Sequence, residues 1–194
     1  MWNYLRARRG KTVGLVLAVA FLLVGMSSAV VVSAPFQHDP IPIRLVLLSP
    51  VLTVVAFAPS MPAPAPDLEA MYVAHARRGR TILAAAIASA SMIAALVVLA
   101  LDTDSSLALA AARNGFMLDA ALLLAVTFVS VDLGWVAPVV LVAVTYVVGL
   151  DPLTLAPRSW AFLLAPANAA STAIGILALG VGSWAFVRQQ RGEL

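Results

Sequence analysis

The sequence predicts an all-α integral membrane protein with six transmembrane helices, a short N-terminal interfacial helix and a cytoplasmic helix between spans two and three. Three observations lead there. Hydrophobic residues make up 62% of the 194-residue chain and charged residues only 11%, whereas soluble domains carry roughly 25% charged residues. The mean hydropathy is +1.00, too high for polar side chains to cover the apolar surface, so the solvent must be lipid. The basic residues gather at the ends of apolar runs. At about 20 residues per crossing the chain holds roughly six or seven spans with short loops. That describes one transmembrane domain over 1–194, with no room for a soluble catalytic domain.

The opening stretch WNYLRARRG reads as an interfacial helix, with Trp2 and Tyr4 at headgroup level and arginines facing anionic lipid. The first apolar segment follows at 12–34. Together with VVVSAP it imitates a secretory signal with a cleavage site after Ala34. Its apolar run exceeds the roughly 7–15 residues of a signal core, so it is expected to be retained as a span. Further segments lie at 41–59, 81–101, 106–131, 135–149 and 160–187. In lipid each must satisfy its backbone internally, which predicts a helix for each. The second and fifth are short and contain Pro50 and Pro138. Each proline is expected to be a packing kink, with a flexible point as the alternative.

Orientation follows from the basic residues. Arg6, Arg8, Arg9 and Lys11 precede the first span, Arg77, Arg78 and Arg80 precede the third, and Arg188 and Arg191 follow the sixth. With an even number of spans, all three clusters fall on one side, the cytoplasm. This predicts a multi-pass protein of the bacterial inner membrane with both termini cytoplasmic. One lysine against eleven arginines fits a GC-rich bacterial genome.

Several chemistries are excluded. There are no cysteines and two histidines; His38 and His75 fall on opposite sides and cannot share a metal. Gly10-Lys11-Thr12 imitates the end of a phosphate-binding loop, but Leu5 stands where that loop needs glycine. The chain itself is expected to bind no cofactor and to catalyse no reaction. The basic balance does not indicate nucleic acid, because the charges flank apolar runs.

The fourth span, SSLALAAARNGFMLDAALLLAVTFVSV, places Arg113, Asn114 and Asp119 inside the membrane. A charge at the centre of a helix costs roughly 2.5–3.5 kcal/mol on insertion scales. Six residues turn a helix by about 600°, so Arg113 and Asp119 point about 120° apart. Each is expected to find a partner elsewhere, such as Arg44, Asn168 or water, and to pin helices together. The functional alternative is a substrate or proton site. In the sixth span, Ser171 with Gly175 and Ala178 with Gly182 have the four-residue spacing of close helix packing. That spacing serves either intramolecular contacts or a dimer seam. Trp135, Trp160 and Trp184 read as interfacial anchors.

Between the second and third spans, Pro62, Pro64 and Pro66 make an extended arm. Asp67 then caps a short amphipathic helix over 67–80, with acids first and arginines last, matching the helix dipole. Leu68, Met71, Tyr72 and His75 share one face; Glu69, Arg77 and Arg80 lie apart from it, and Arg78 completes the basic end. The helix rests on lipid through its arginines or docks its apolar face into a protein.

The pieces WNYLRARRG, PDLEAMYVAHARRGR, SVDLGW and DPLTLAPRSW, spaced as they are, resemble the small permease subunits of the type-2 ABC transporter family, of the actinobacterial sort. The resemblance covers nearly the whole chain and is one of topology and spacing; the proline-rich arm departs from it. It implies that 67–80 is a coupling helix gripped by a cytoplasmic ABC ATPase subunit, which binds ATP and Mg. It also implies a second permease copy or a related permease, and export of a hydrophobic or amphipathic substrate such as a drug, lipid or peptide. Other readings of the same chain are an ATPase-independent transporter using Asp119 and Arg113, the substrate-binding component of an energy-coupling-factor importer, and a membrane scaffold or immunity protein.

Overall fold

The computed structural model describes residues 10–27, 31–33, 42–61, 73–101, 105–151, 154 and 156–188. Helices dominate. They are α1 (Gly10–Ser27), α2 (Pro50–Ala56), α3 (Val73–Leu101), α4 (Ser105–Phe128), α5 (Val136–Val148) and α6 (Ala169–Arg188). Three helical stretches, Ala76–Leu101, Ser105–Phe128 and Ala169–Arg188, are long and apolar enough to cross a membrane. Thr12–Val24, Leu45–Ser60 and Val136–Val148 are shorter apolar stretches. Large apolar side chains such as Leu15, Leu22, Leu96, Leu177 and Val181 stand exposed on the helices, a surface suited to lipid rather than water. The chain therefore reads as a membrane protein.

Three of the expected spans differ from continuous helices. The first ends early: α1 stops at Ser27, and Val31–Ser33 is a strand, β1, paired antiparallel with β2 (Pro42–Arg44). The β-branched Val31 and Val32 favour the extended form. The second segment is broken into a 3-10 turn over Leu45–Leu47, α2, and a second 3-10 turn over Ala58–Ser60. Pro50 kinks no helix; it occupies the first position of α2, where its missing N–H costs nothing. The hydroxyls of Ser49, Thr53 and Ser60 each donate to a local carbonyl at 2.7 Å, so the irregular turns stay satisfied while buried.

The sixth helix starts at Ala169, not near 160. Pro166 disfavours helix at the residue before it, and Asn168 then caps the start. The Asn168 Oδ1 accepts the Ser171 N–H at 2.7 Å, and the Ser171 Oγ accepts the Asn168 N–H at 3.1 Å, a reciprocal cap. The fifth helix, Val136–Val148, falls within the expected segment 135–149 but is one of the shorter apolar helices. Pro138 lies in its first turn, where backbone donors have no intrahelical partner.

Packing registers give each segment a direction. At one end Val24, Val46, Val98 and Leu107 form a cluster; at the other, Val13, Phe57, Leu83, Val126 and Phe186 share the main core. So α1, the broken second segment, α3 and α4 alternate in direction. Gly175 packs on the Arg113 backbone and Gly182 on Ala120, an offset that makes α4 and α6 parallel. The chain must therefore run back between them, through α5. The small residues of α6 thus seat that helix against α4 within the molecule. Helix α4 is the hub, with Arg113, Asn114, Leu118, Asp119, Leu122 and Leu123 each 0% exposed.

Candidate functional site

The polar residues of α4 form two separate sites. In the first, Arg113 and Asn114 bind together the two places where helical structure fails. Pro50 has no N–H, and Val51 N–H turns to the Leu48 carbonyl at 3.2 Å, which leaves the Leu47 carbonyl without a helical partner. Asn114 Nδ2 donates to it at 2.9 Å and to the Leu163 carbonyl at 2.8 Å. The Ala165 and Pro166 carbonyls, stranded by the late start of α6, receive Arg113: Nη2 donates to Ala165 at 2.8 Å and Nη1 to Pro166 at 3.2 Å. Nη1 also donates to Ser171 Oγ at 3.4 Å, while Nε and Nη2 donate to Asn114 Oδ1 at 3.1 and 2.9 Å.

A guanidinium has five N–H donors, and these five bonds engage all of them. Asn114 is filled as well, with two bonds accepted and two donated. The cluster therefore has no donor left to hold a substrate anion. What it does is structural: it satisfies the buried Leu163 carbonyl and the part-buried carbonyls of Leu47, Ala165 and Pro166, and in lipid an unsatisfied backbone group costs several kcal/mol. The partners of the Arg113 and Asn114 side chains in other segments are carbonyls of the broken stretches and Ser171, not the Arg44 or Asn168 side chains suggested by the sequence.

The second site is the opposite case. Both carboxylate oxygens of Asp119 are buried without a hydrogen-bond partner, as is Ser91 Oγ. Neither Arg44 nor Asn168 hydrogen-bonds Asp119, contrary to the expected pairing; the Asn168 side chain caps α6 instead. Ser91 of α3 interacts with Asp119 across the helix crossing without completing a bond of ordinary geometry. The closeness has a local cause. A Cβ on Gly115 would lie 2.8 Å from the Ser91 Cβ, so only glycine there lets the two helices meet. Side chains on a helix lean toward its N-terminus, so Asp119 covers the surface of Gly115, one turn back, where Ser91 enters. The hydroxyl of Thr145 is buried and orphaned too.

Of the residues expected to couple to an ATPase, Asp67, Leu68, Glu69, Met71 and Tyr72 lie outside the described residues, as do the proline arm and the interfacial segment. His75 falls within α3. Arg77 and Arg78 are exposed on α3 and Arg80 is half-buried. The helix passes without a break through Arg80 and Thr81 into its apolar part. Trp135, Trp160 and Trp184 are exposed, and the Arg188 guanidinium lies 4.9 Å from the Trp184 ring centroid. Among the described residues, no group of three or more His, Asp or Glu could hold a metal. No family model, no curated protein and no solved structure matches the chain.

Two features of the site escaped the sequence reading. The stretch PANAAST contains a proline, an N-cap asparagine and a serine three residues on, which signals a helix start; the high hydropathy around it hid the signal. The joining of Leu47 to Leu163 through Asn114 left no local trace, since these residues are 116 positions apart.

Proposed function

We propose that the chain is the membrane-spanning permease subunit of an ATP-driven ABC transporter, exporting a hydrophobic or amphipathic substrate. ATP and Mg are bound by a partner ATPase, and a second permease, identical or related, completes the path. The supporting observation is the continuity of α3. Its 29 residues extend roughly 43 Å, against about 30 Å of hydrocarbon. The excess lies at the end carrying exposed Arg77 and Arg78. Displacement of that end is carried by an unbroken rod to the Ser91–Gly115 crossing with α4. A lever of this kind suits a permease driven from the cytoplasmic side.

The test uses the ATPase that co-purifies with the chain. The apolar face of Leu68, Met71 and Tyr72 supplies the affinity; about 100 Å² lost from a tyrosine at about 25 cal/mol per Å² is roughly 2.5 kcal/mol, or about 50-fold weaker docking. Tyr72→Ala or Met71→Asp is expected to uncouple ATP hydrolysis from transport and to weaken co-purification. Arg77→Ala changes either by about fivefold or less, since exposed ion pairs contribute under about 1 kcal/mol. Full coupling in the Tyr72 and Met71 variants, or the lack of any associated ATPase, overturns the proposal.

The proposed topology has six passes in a bacterial inner membrane, with both termini and the Arg77–Arg80 stretch cytoplasmic because the basic residues cluster there; the alternating directions of the described segments are compatible with it. In this reading the second pass is the discontinuous Leu45–Ser60 segment, tolerated because it is enclosed by other helices. The chain lacks native cysteine, so single cysteines report cleanly. Ser159→Cys is expected to label with an impermeant thiol reagent on intact cells, and Arg78→Cys only after the cells are opened. Both labelling from outside would end the six-pass arrangement.

A further inference from the structure

We propose that Asp119 and Ser91 form a proton-binding site that closes the seam between α3 and α4, a role beyond the permease reading and independent of any ATPase. Three oxygens, two of Asp119 and one of Ser91, are buried there without hydrogen-bond partners. Both residues are essentially sealed, at 0% and 1% exposure, and the Gly115 notch brings α3 close enough for them to meet.

An unpaired carboxylate in such a place is costly, several kcal/mol even after relaxation, so the site calls for a positive occupant. Among the described residues none supplies it. Arg113, on the same helix, has every donor engaged. On α3, Arg80 lies eleven residues before Ser91, about 16 Å along the axis, with Arg77 and Arg78 farther still. On α6, Arg188 lies beyond Gly182 and sits against Trp184. Helix α2 has no ionisable residue; α5 offers only Tyr146, and the turn before α2 adjoins only Arg44. A hard metal cation takes six or more oxygen ligands, and three are present. A proton needs one acceptor: bound to Asp119, it removes the unpaired charge and makes the carboxyl able to donate to Ser91 Oγ across the crossing. The proton leaves to water only when α3 draws away from α4, so its binding is linked to the movement of α3.

Infrared spectroscopy of the protein in lipid bilayers at neutral pH tests the assignment. The wild type is expected to show the C=O stretching band of a neutral carboxylic acid. That band disappears in Asp119→Asn and shifts to higher frequency in Ser91→Ala, which folds with its hydrogen bond removed. Transfer to D₂O moves the band about tenfold or more slowly than it moves exposed carboxyls, because exchange waits for local opening. Should Asp119→Asn fail to fold, the Ser91→Ala shift decides alone. Absence of the band at neutral pH, its persistence in Asp119→Asn, or its indifference to Ser91→Ala overturns the proposal. A band that vanishes on adding Na⁺ and returns on its removal replaces the proton with a metal cation and overturns it equally.

Discussion

Replacing Arg113 with leucine is expected to lower the unfolding midpoint of the detergent-solubilised protein by about 10 °C or more. The side chain holds the Ala165 and Pro166 carbonyls, Ser171 Oγ and Asn114 Oδ1 through five bonds. Removing it leaves these acceptors facing an apolar side chain, and each stranded group costs about 1–3 kcal/mol. The sum exceeds about 3 kcal/mol even if some of the acceptors relax. Arg113→Lys keeps the charge, but its three donors radiate from one nitrogen and lack the planar five-donor fork that reaches Ala165, Pro166, Ser171 and Asn114 together. It is expected to recover less than half of the loss. If Arg113→Leu unfolds within about 2 °C of the wild type, the clamp holds nothing together. If lysine restores the midpoint fully, charge rather than geometry is what matters.

Asn114→Leu is the second large effect, at about 2–4 kcal/mol, because it keeps the branched outline while removing donors to two carbonyls and an acceptor for Arg113. Asn114→Asp separates the two halves of its work. The carboxylate continues to accept from Arg113 but can no longer donate to Leu47 and Leu163. Destabilisation by Asp close to that by Leu assigns the effect to the carbonyls of the broken segments. Little destabilisation by Asp assigns it to the Arg113 contact. Combined with Arg113→Leu, the Asn114→Leu change is expected to add far less than its separate cost, as residues of one network do. Full additivity in chemical or thermal unfolding would show that the two side chains act independently.

The parallel packing of α4 on α6 explains why such a clamp is needed. Gly175 and Gly182, seven residues apart, let α6 lie against the backbone of α4 at Arg113 and Ala120. This brings the start of α6, and the irregular residues before it, to the level of Arg113. Carbonyls that would meet water at the end of a helix in a soluble protein instead meet a side chain from the hub. The charge of Arg113, costly in lipid, is spread over three neutral acceptor groups and Ser171 without an acid.

Composition and periodicity were sufficient for the membrane character, for the cores of the third, fourth and fifth helices, and for the residues worth suspecting. Arg113, Asn114 and Asp119 stand out because polar groups in an apolar run are expensive wherever they sit. That argument is local, and sequence carries it. The same local reasoning misjudged Pro50, Pro138 and the stretch before Ala169. Hydropathy averages over a window, whereas a helix start depends on single residues: a missing N–H at Pro50, a cap at Asn168. The partners of the suspects were decided only in three dimensions. Arg113 and Asp119 are chemically the two strongest candidates for an ion pair, yet helical geometry turns them apart, and the fold gives them opposite fates. Arg113 is fully satisfied because the stretch before α6 delivers two carbonyls to it and Asn114 and Ser171 supply the remaining acceptors. Asp119 is left facing one hydroxyl because Gly115 admits Ser91 and nothing charged. The energetic need for a partner is a property of the residue and can be read along the chain; which partner meets it depends on contacts between segments up to 67 residues apart, which the tertiary structure alone brings together.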